Sequence, residues 1–505
     1  MLNPVQIRNL IAYGVALPLV VVVGYFISQT DDFFSLLALG LVLLAGCLPF
    51  LLNSHRLLLI LSWNAAVDAF FLPGQPALWI VLAFVSLFFS IAQSALKRNA
   101  RFITVPFLTW PLVILGIIVV ITAIARGGIG LRSFGSDMIG GKKYVTVMGA
   151  IVGYFALSCQ AIPKKRAVLY ATLFFLMGTT AAICDLIYVG GPGFYWLYYA
   201  FPPELARLQA MSDYLGPQSV FRLEGVAWSS VAFCCFMLVR FGARGVLDFR
   251  RPWRIIIFLL AVVAGLFGGF RSRLFLIGMF FIAQFCLEGL WKTRWLPILL
   301  AGSLLIGAVV LSVAEKLPNS VQRTLSFLPV KVDPSVKKDA EDSTLWRLEM
   351  WGVIWPEVPR YLWLGKGYTF SASDFYLTEM AQAWGLAKDY ESMVVVAEYH
   401  NGWFSAMIPL GIWGLVAFVW FVAAGWWALY QNYRYGDKDL QRVNTFFLAF
   451  YTVRTIFFFT IYGSLNPELA LFTGVLGLSV AINQGVKKRP VSSRAVLIEP
   501  ALQTA

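Results

Sequence analysis

The chain has 505 residues, of which 59% are hydrophobic and only 13% charged, and its mean hydropathy is +0.74. A soluble domain carries about 25% charged residues, so this composition excludes a water-soluble globular protein and makes membrane lipid the main solvent. The formal net charge of +14 fits the basic cytoplasmic loops of a membrane protein, and no nucleic-acid partner is expected.

Roughly 20 apolar residues cross a bilayer core as a helix, and helices satisfy their own backbone groups in lipid. Taken in chain order, apolar runs fall near 11–28, 34–52, 57–72, 77–96, 106–125, 144–162, 167–189, 223–242, 255–270, 274–290, 295–313, 402–430, 443–461 and 467–485. They predict an all-α, polytopic transmembrane helical bundle of about 12–14 helices, with the short runs at 57–72 and 255–270 the weakest. Arg8 precedes the first run without a small-residue cleavage site after it, so that run is read as a retained helix. The six cysteines, Cys47, Cys159, Cys184, Cys234, Cys235 and Cys286, lie in apolar segments without CxxC spacing. No disulfide framework or zinc site is expected.

Orientation follows from the bases. Clusters at Lys97-Arg98-Asn99-Ala100-Arg101, Lys164-Lys165-Arg166, Arg250-Arg251, Lys292-Thr293-Arg294 and Lys487-Lys488-Arg489 all fall on one side if the N-terminus is cytoplasmic. Both termini are then expected inside. The connection 126–143 is the exception, because it carries Arg126, Arg132, Lys142 and Lys143 on the outer side. The expected organisation is N-terminal membrane helices and an outer loop over 1–222, central helices over 223–314, a large outer domain over 315–399, C-terminal helices over 400–485, and a cytoplasmic tail over 486–505. The 315–399 segment holds twelve of the 26 acidic residues. Loops this long are usually functional, and Thr344–Trp351 has helical apolar spacing that Pro356 and Pro359 are expected to end.

Several ionisable residues stand where hydrocarbon disfavours them. Arg271 and Arg273 occupy a short outer turn, Arg222 lies at the same level, Arg454 falls inside a helix, and Asp68 and Asp185 sit in or near others. Such arginines either pair with Asp185 or Glu224, snorkel to the surface, or bind an anion. Guanidinium groups grip phosphate bidentately and stay charged, so several at one outer level suit a lipid-linked diphosphate. Of the two histidines, His55 reads as an interfacial bystander. His400 stands at the seam of the outer domain and the next helix, where it can take a proton from a sugar hydroxyl. On an uninterrupted helix, Gly411 and Gly414 would share its face and let a neighbouring helix or lipid tail come close. Pro409 is expected to bend that helix.

These residues resemble the O-antigen ligase and O-antigen polymerase superfamily of bacterial envelope glycosyltransferases. That family carries His, then Asn, Ser or Gln, nine residues, Gly, two residues, and Gly, Thr or Tyr; here the match is His400-Asn401, Gly411 and Gly414. Arg222-Leu223-Glu224-Gly225, Ser272-Arg273-Leu274, Arg347-Leu348-Glu349-Met350-Trp351 and Leu364-Gly365-Lys366-Gly367-Tyr368 are similar to further family elements across about 220–420. Ala227-Trp228-Ser229-Ser230 departs from the polar residue usual after the first of these.

The resemblance implies a GT-C-like fold and an inner-membrane enzyme, its active site periplasmic, that uses no metal or cofactor. Its partners would be an undecaprenyl-diphosphate-linked glycan, a glycan or lipid acceptor and membrane lipid. His400 would be the catalytic base. Arg222, Arg271 and Arg273 would bind the diphosphate, the Ser-Arg pair favouring Arg273 at the family position, with Asn401, Arg347, Gly411 and Gly414 in support. Asp389, Glu391 or Glu398 could orient His400. The alternative in another class is a transporter or flippase of lipid-linked oligosaccharide, which would call for two related halves and charged cavities through the bilayer.

Overall fold

A computed structural model describes residues 50–72, 74–96, 102–130, 138–203, 222–388 and 390–489, together with Val21, Gly24 and Gly46. The chain divides into two compact units, 1–58 and 59–505, and the second carries His400, Arg222, Arg271 and Arg273. The apolar runs near 11–28 and 34–52, and Asp389, lie outside the described residues.

From residue 77 onward every expected apolar run is helical. The helices are α1 (Leu78–Leu96), α2 (Pro106–Ala125), α3 (Gly141–Ser158), α4 (Lys164–Leu176), α5 (Ala182–Gly190), α6 (Glu224–Val246), α7 (Trp253–Leu266), α8 (Arg271–Leu287) and α9 (Trp295–Val313). A 3-10 turn over Met177–Ala181 joins α4 to α5 into one span. The run near 57–72 is helical only to Ser62, and Trp63 onward leaves the helix to form turns and a bridge between Asp68 and Ala77. Among the described residues eight helices are long and apolar enough to cross a membrane. The protein is an all-α polytopic bundle.

The segment after α9 folds into short helices: α10 (Asn319–Leu325), α11 (Pro334–Ile354), α12 (Val358–Tyr361), α13 (Ala372–Ala383) and α14 (Tyr390–Val395). As expected, α11 ends just before Pro356, at Ile354. Pro356 and Pro359 then occupy the first turns of the short helices that follow, where a missing N–H costs nothing. The last spans are α15 (Gly402–Tyr435), α16 (Gln441–Thr460) and α17 (Leu465–Asn483). A two-residue strand β1 (Met138–Ile139) pairs antiparallel with β2 (Phe370–Ser371), tying the connection before α3 to the capping segment.

The core lies along α3, α6, α16 and α17, with α17 buried over nearly its whole length and packed along α3. By contrast no residue of α9 is buried, which is how an all-apolar helix behaves when lipid surrounds it. In the core Arg454 and Glu468 form a buried ion pair that joins α16 to α17.

Candidate active site

His400 owes its position to both of its flanks. After it, the Asn401 side chain caps α15, its Oδ1 accepting from the backbone N–H of Trp403 at 2.9 Å and of Phe404 at 3.3 Å. This gives a physical reason for a short polar residue at that place, since such side chains satisfy orphan donors at a helix start. Ser405 Oγ donates to Gly463 O at 2.8 Å, which fastens the start of α15 to the α16–α17 connection and brings Tyr462 to His400.

Before it, the backbone is strained. Ala397 (φ 57) and His400 (φ 52) both take the left-handed conformation, which L side chains rarely adopt and which collects at functional sites. Lys143 Nζ bonds the Val396 carbonyl at 2.5 Å and Glu398 Oε1 at 2.6 Å. Trp351 Nε1 donates to Tyr399 O at 2.8 Å. Two of the unexpected bases of 126–143 are therefore committed to backbone: Lys143 holds this turn directly, and Arg126 bonds the Gly365 carbonyl at 2.7 Å.

The imidazole stands edge-on to two aromatic rings, Trp346 at 5.4 Å and Tyr462 at 5.0 Å between centroids. Its Nδ1 is buried without a hydrogen-bond partner. Burial, reinforced by the charge of Arg347, pushes the imidazole down to about 4 against the opposing pull of Glu398, so it is neutral at physiological pH. Burial also pushes the Tyr462 phenol up to about 12, with Glu398 adding to the push while Arg273 and Arg347 pull the other way. Arg273, Arg347, Tyr462 and His400 thus share one electrostatic neighbourhood. Among the described residues, Arg273 Nε and Arg347 Nε are both buried without a hydrogen-bond partner.

Arg222, Arg271 and Arg273 are not equivalent. Arg273 is 8% exposed, with its guanidinium carbon 3.3 Å from the centre of the Trp228 ring and Glu224 4.0 Å away. Trp228 thereby supplies an aromatic face that stacks on the arginine. Arg222 donates to Asp339 on α11 at 3.2 Å, and Arg271 bonds Ala340 O and Thr344 Oγ1, both at 2.7 Å. Asp185 is taken up in capping α6, its Oδ2 accepting the Val226 N–H at 2.6 Å. A side chain at Gly225 would collide with the Ala181 carbonyl, so the glycine three residues after Arg222 lets α6 close on that preceding turn.

Gly411 and Gly414 form no stripe below His400, because α15 is broken. Gly411 has φ 70 and ψ −175, a region essentially restricted to glycine. The loop 362–367 inserts its backbone there. Ile412 N donates to Leu362 O at 2.6 Å, Lys366 N to Ile408 O at 2.7 Å and Gly367 N to Pro409 O at 3.0 Å. The close neighbour of Gly411 is thus this loop, not a lipid tail, and Gly414 packs on Leu410 of its own helix. Gly411→Ala, whose Cβ would lie 2.7 Å from Trp363 O, should cost about 1–3 kcal/mol from backbone strain alone. A thermal unfolding series in detergent would read it as a lower midpoint, with Ile412→Ala as the helix-preserving control.

A cavity of about 1130 Å³ adjoins this region, walled largely by apolar groups such as Phe175, Trp228, Phe280 and Phe450, with Glu398, Lys143, Arg454 and Asn466 also on its lining. Two residues of the neighbourhood leave no trace in the sequence motifs. Arg323 is 6% exposed in a stretch that otherwise reads as loop, and Tyr462 looks like the frayed end of an apolar run.

A broken membrane helix, a strained histidine turn and a cluster of part-free guanidiniums under short helices define a multi-pass membrane protein with a buried cationic site. Residues 257–419 match the model of the O-Antigen ligase family, a stretch that runs from α7 into α15. The match includes Arg271, Arg273, Arg347, His400, Asn401, Gly411 and Gly414, and leaves Arg222 outside. A comparison with curated proteins returns no match. The match supports a membrane protein of the O-antigen ligase or polymerase type in general.

Proposed function

We propose that this chain transfers a glycan from undecaprenyl diphosphate to a hydroxyl acceptor at the periplasmic face of the bacterial inner membrane, with both termini cytoplasmic. The observation that carries the proposal is the neutral His400, its buried Nδ1 without a hydrogen-bond partner among the described residues, in the neighbourhood of Arg347, Tyr462 and Arg273. In the reaction the acceptor oxygen attacks the anomeric carbon of the donor, and its proton passes to the imidazole. The bond from that carbon to the diphosphate oxygen breaks, and its electron pair leaves with undecaprenyl diphosphate. Arg273 and Arg347, already in place, offset the charge that grows on the departing group; Arg222 and Arg271 add to the positive potential. The apolar cavity beside Trp228 gives an isoprenoid tail a lipid-like path to the same place.

The test is reconstitution of the purified chain in nanodiscs with an undecaprenyl-diphosphate-linked glycan and a set of candidate acceptors. Product on the acceptor and free undecaprenyl diphosphate in equal amounts are expected. Movement of the intact lipid-linked glycan across a proteoliposome membrane, without any transfer, would replace this reading with a flippase. In cells lacking the protein, accumulation of single undecaprenyl-linked units would mark the acceptor as another unit, and accumulation of undecaprenyl-linked polymer would mark it as a different molecule.

A further inference from the structure

Arg323 and Asp339 belong to no motif, yet they lie at the centre of the arginine cluster. Arg323 Nη1 donates to Gly269 O at 2.6 Å, next to Phe270 and Arg271, and Arg323 Nε is paired with Asp339 Oδ2. The same Asp339 oxygen receives Arg222 Nη2 at 3.2 Å. One carboxylate therefore sits between two guanidiniums from separate elements, α10 and the approach to α6. The pair is asymmetric in access: the Arg323 side chain is 7% exposed and that of Asp339 is 41% exposed. The cations form the floor, and the anion lies on the open side.

Charge balance points the same way. Arg222, Arg271, Arg273, Arg323 and Arg347 lie within electrostatic reach of one another or of shared partners. Among the described residues, Asp339 and Glu224 are the carboxylates that act on them from close by, Glu468 being committed to Arg454. Buried positive charge in such excess is expensive unless an anion joins it. A carboxylate held by two guanidiniums has the geometry of a bound phosphate edge.

We propose that Arg323 is a further diphosphate ligand, and that Asp339 is an exchangeable counter-ion holding the place that a phosphate oxygen takes when the lipid donor arrives. This rests on undecaprenyl diphosphate being the donor. Because Asp339 is carried by α11, the helix that also bears Arg347 and Trp346, its displacement reports donor arrival to residues around His400.

The sign of one substitution decides the matter. Asp339→Asn removes a competitor for the guanidiniums if the inference is right, and removes a clamp if Asp339 is structural. With the full chain in nanodiscs and undecaprenyl diphosphate as probe, Asp339→Asn should bind about threefold or more tightly, and Arg323→Gln about tenfold or more weakly, with Arg323→Lys between. Inorganic pyrophosphate serves as a second probe: competition shows that the diphosphate itself is recognised, and no competition overturns the assignment of these groups to it. Unchanged or weaker binding by Asp339→Asn overturns the counter-ion role, and this arm decides even if Arg323→Gln fails to fold. Weaker binding by Arg222→Gln and Arg273→Gln alongside unaltered binding by both Asp339→Asn and Arg323→Gln would sink this inference and leave the donor assignment standing. No binding by the unaltered chain would sink both.

Discussion

Replacing His400 with alanine should lower glycan transfer by a factor of about 100 to 10,000, the usual contribution of a positioned general base, while undecaprenyl diphosphate still binds. The split between chemistry and binding matters, because His400 is in contact with Trp346 and Tyr462 and its loss could also loosen the pocket. Unaltered donor affinity with lost turnover would identify a group acting on the reacting atoms; retained turnover would remove the base from the mechanism. The pH profile gives a second reading. The imidazole of the free protein lies at about 4 because burial and Arg347 disfavour its charged form. The base is therefore competent above that pH, and kcat/KM should fall only as pH drops through about 4. A bound diphosphate offsets the Arg347 charge and makes protonation easier. The acid limb of kcat, which reports the substrate complex, should then lie at higher pH than the limb of kcat/KM.

The second large effect is on stability. Arg454 and Glu468 are 2% and 3% exposed and satisfy each other between α16 and α17. Glu468→Gln strands a guanidinium inside the bundle, and breaking a buried pair on one side costs about 3–5 kcal/mol. Thermal unfolding in detergent should show a large drop for this variant and for Arg454→Leu. The double change to a pair of leucines should recover much of the loss, since a packed apolar pair of similar volume is often no worse than a buried ion pair. A single variant as stable as the parent would show that water or lipid headgroups reach the pair.

Much of the fold is legible in the sequence because its rule is local. Twenty apolar residues in lipid have little choice but a helix, and α1 to α9 and α15 to α17 follow the apolar runs closely. His400 and Asn401 are legible for a related reason: a cap and its neighbour are fixed by the first turn of one helix. The features that mislead depend on distant partners. The periodicity that puts Gly411 on the face of His400 assumes a continuous helix, whereas the break is made by a loop more than forty residues upstream. By sequence Arg222 and Arg271 look available, but α11 supplies Asp339, Ala340 and Thr344 to them. Arg323 escapes notice because nothing in its own sequence neighbourhood distinguishes a solvated loop arginine from one folded under a carboxylate.

The junction at Gly411 has a consequence for how such proteins can diverge. Loop 362–367 meets α15 through amide and carbonyl groups at Ile412 to Leu362, Lys366 to Ile408 and Gly367 to Pro409. Main-chain pairing is blind to side-chain identity, so the residues it fixes in type are Gly365 and Gly411, where a Cβ would strike the opposing backbone. Trp363, 68% exposed, rides on that junction without being needed to hold it. A surface at the break in α15 is thereby free to be rewritten, position by position, while the seam beneath it stays shut.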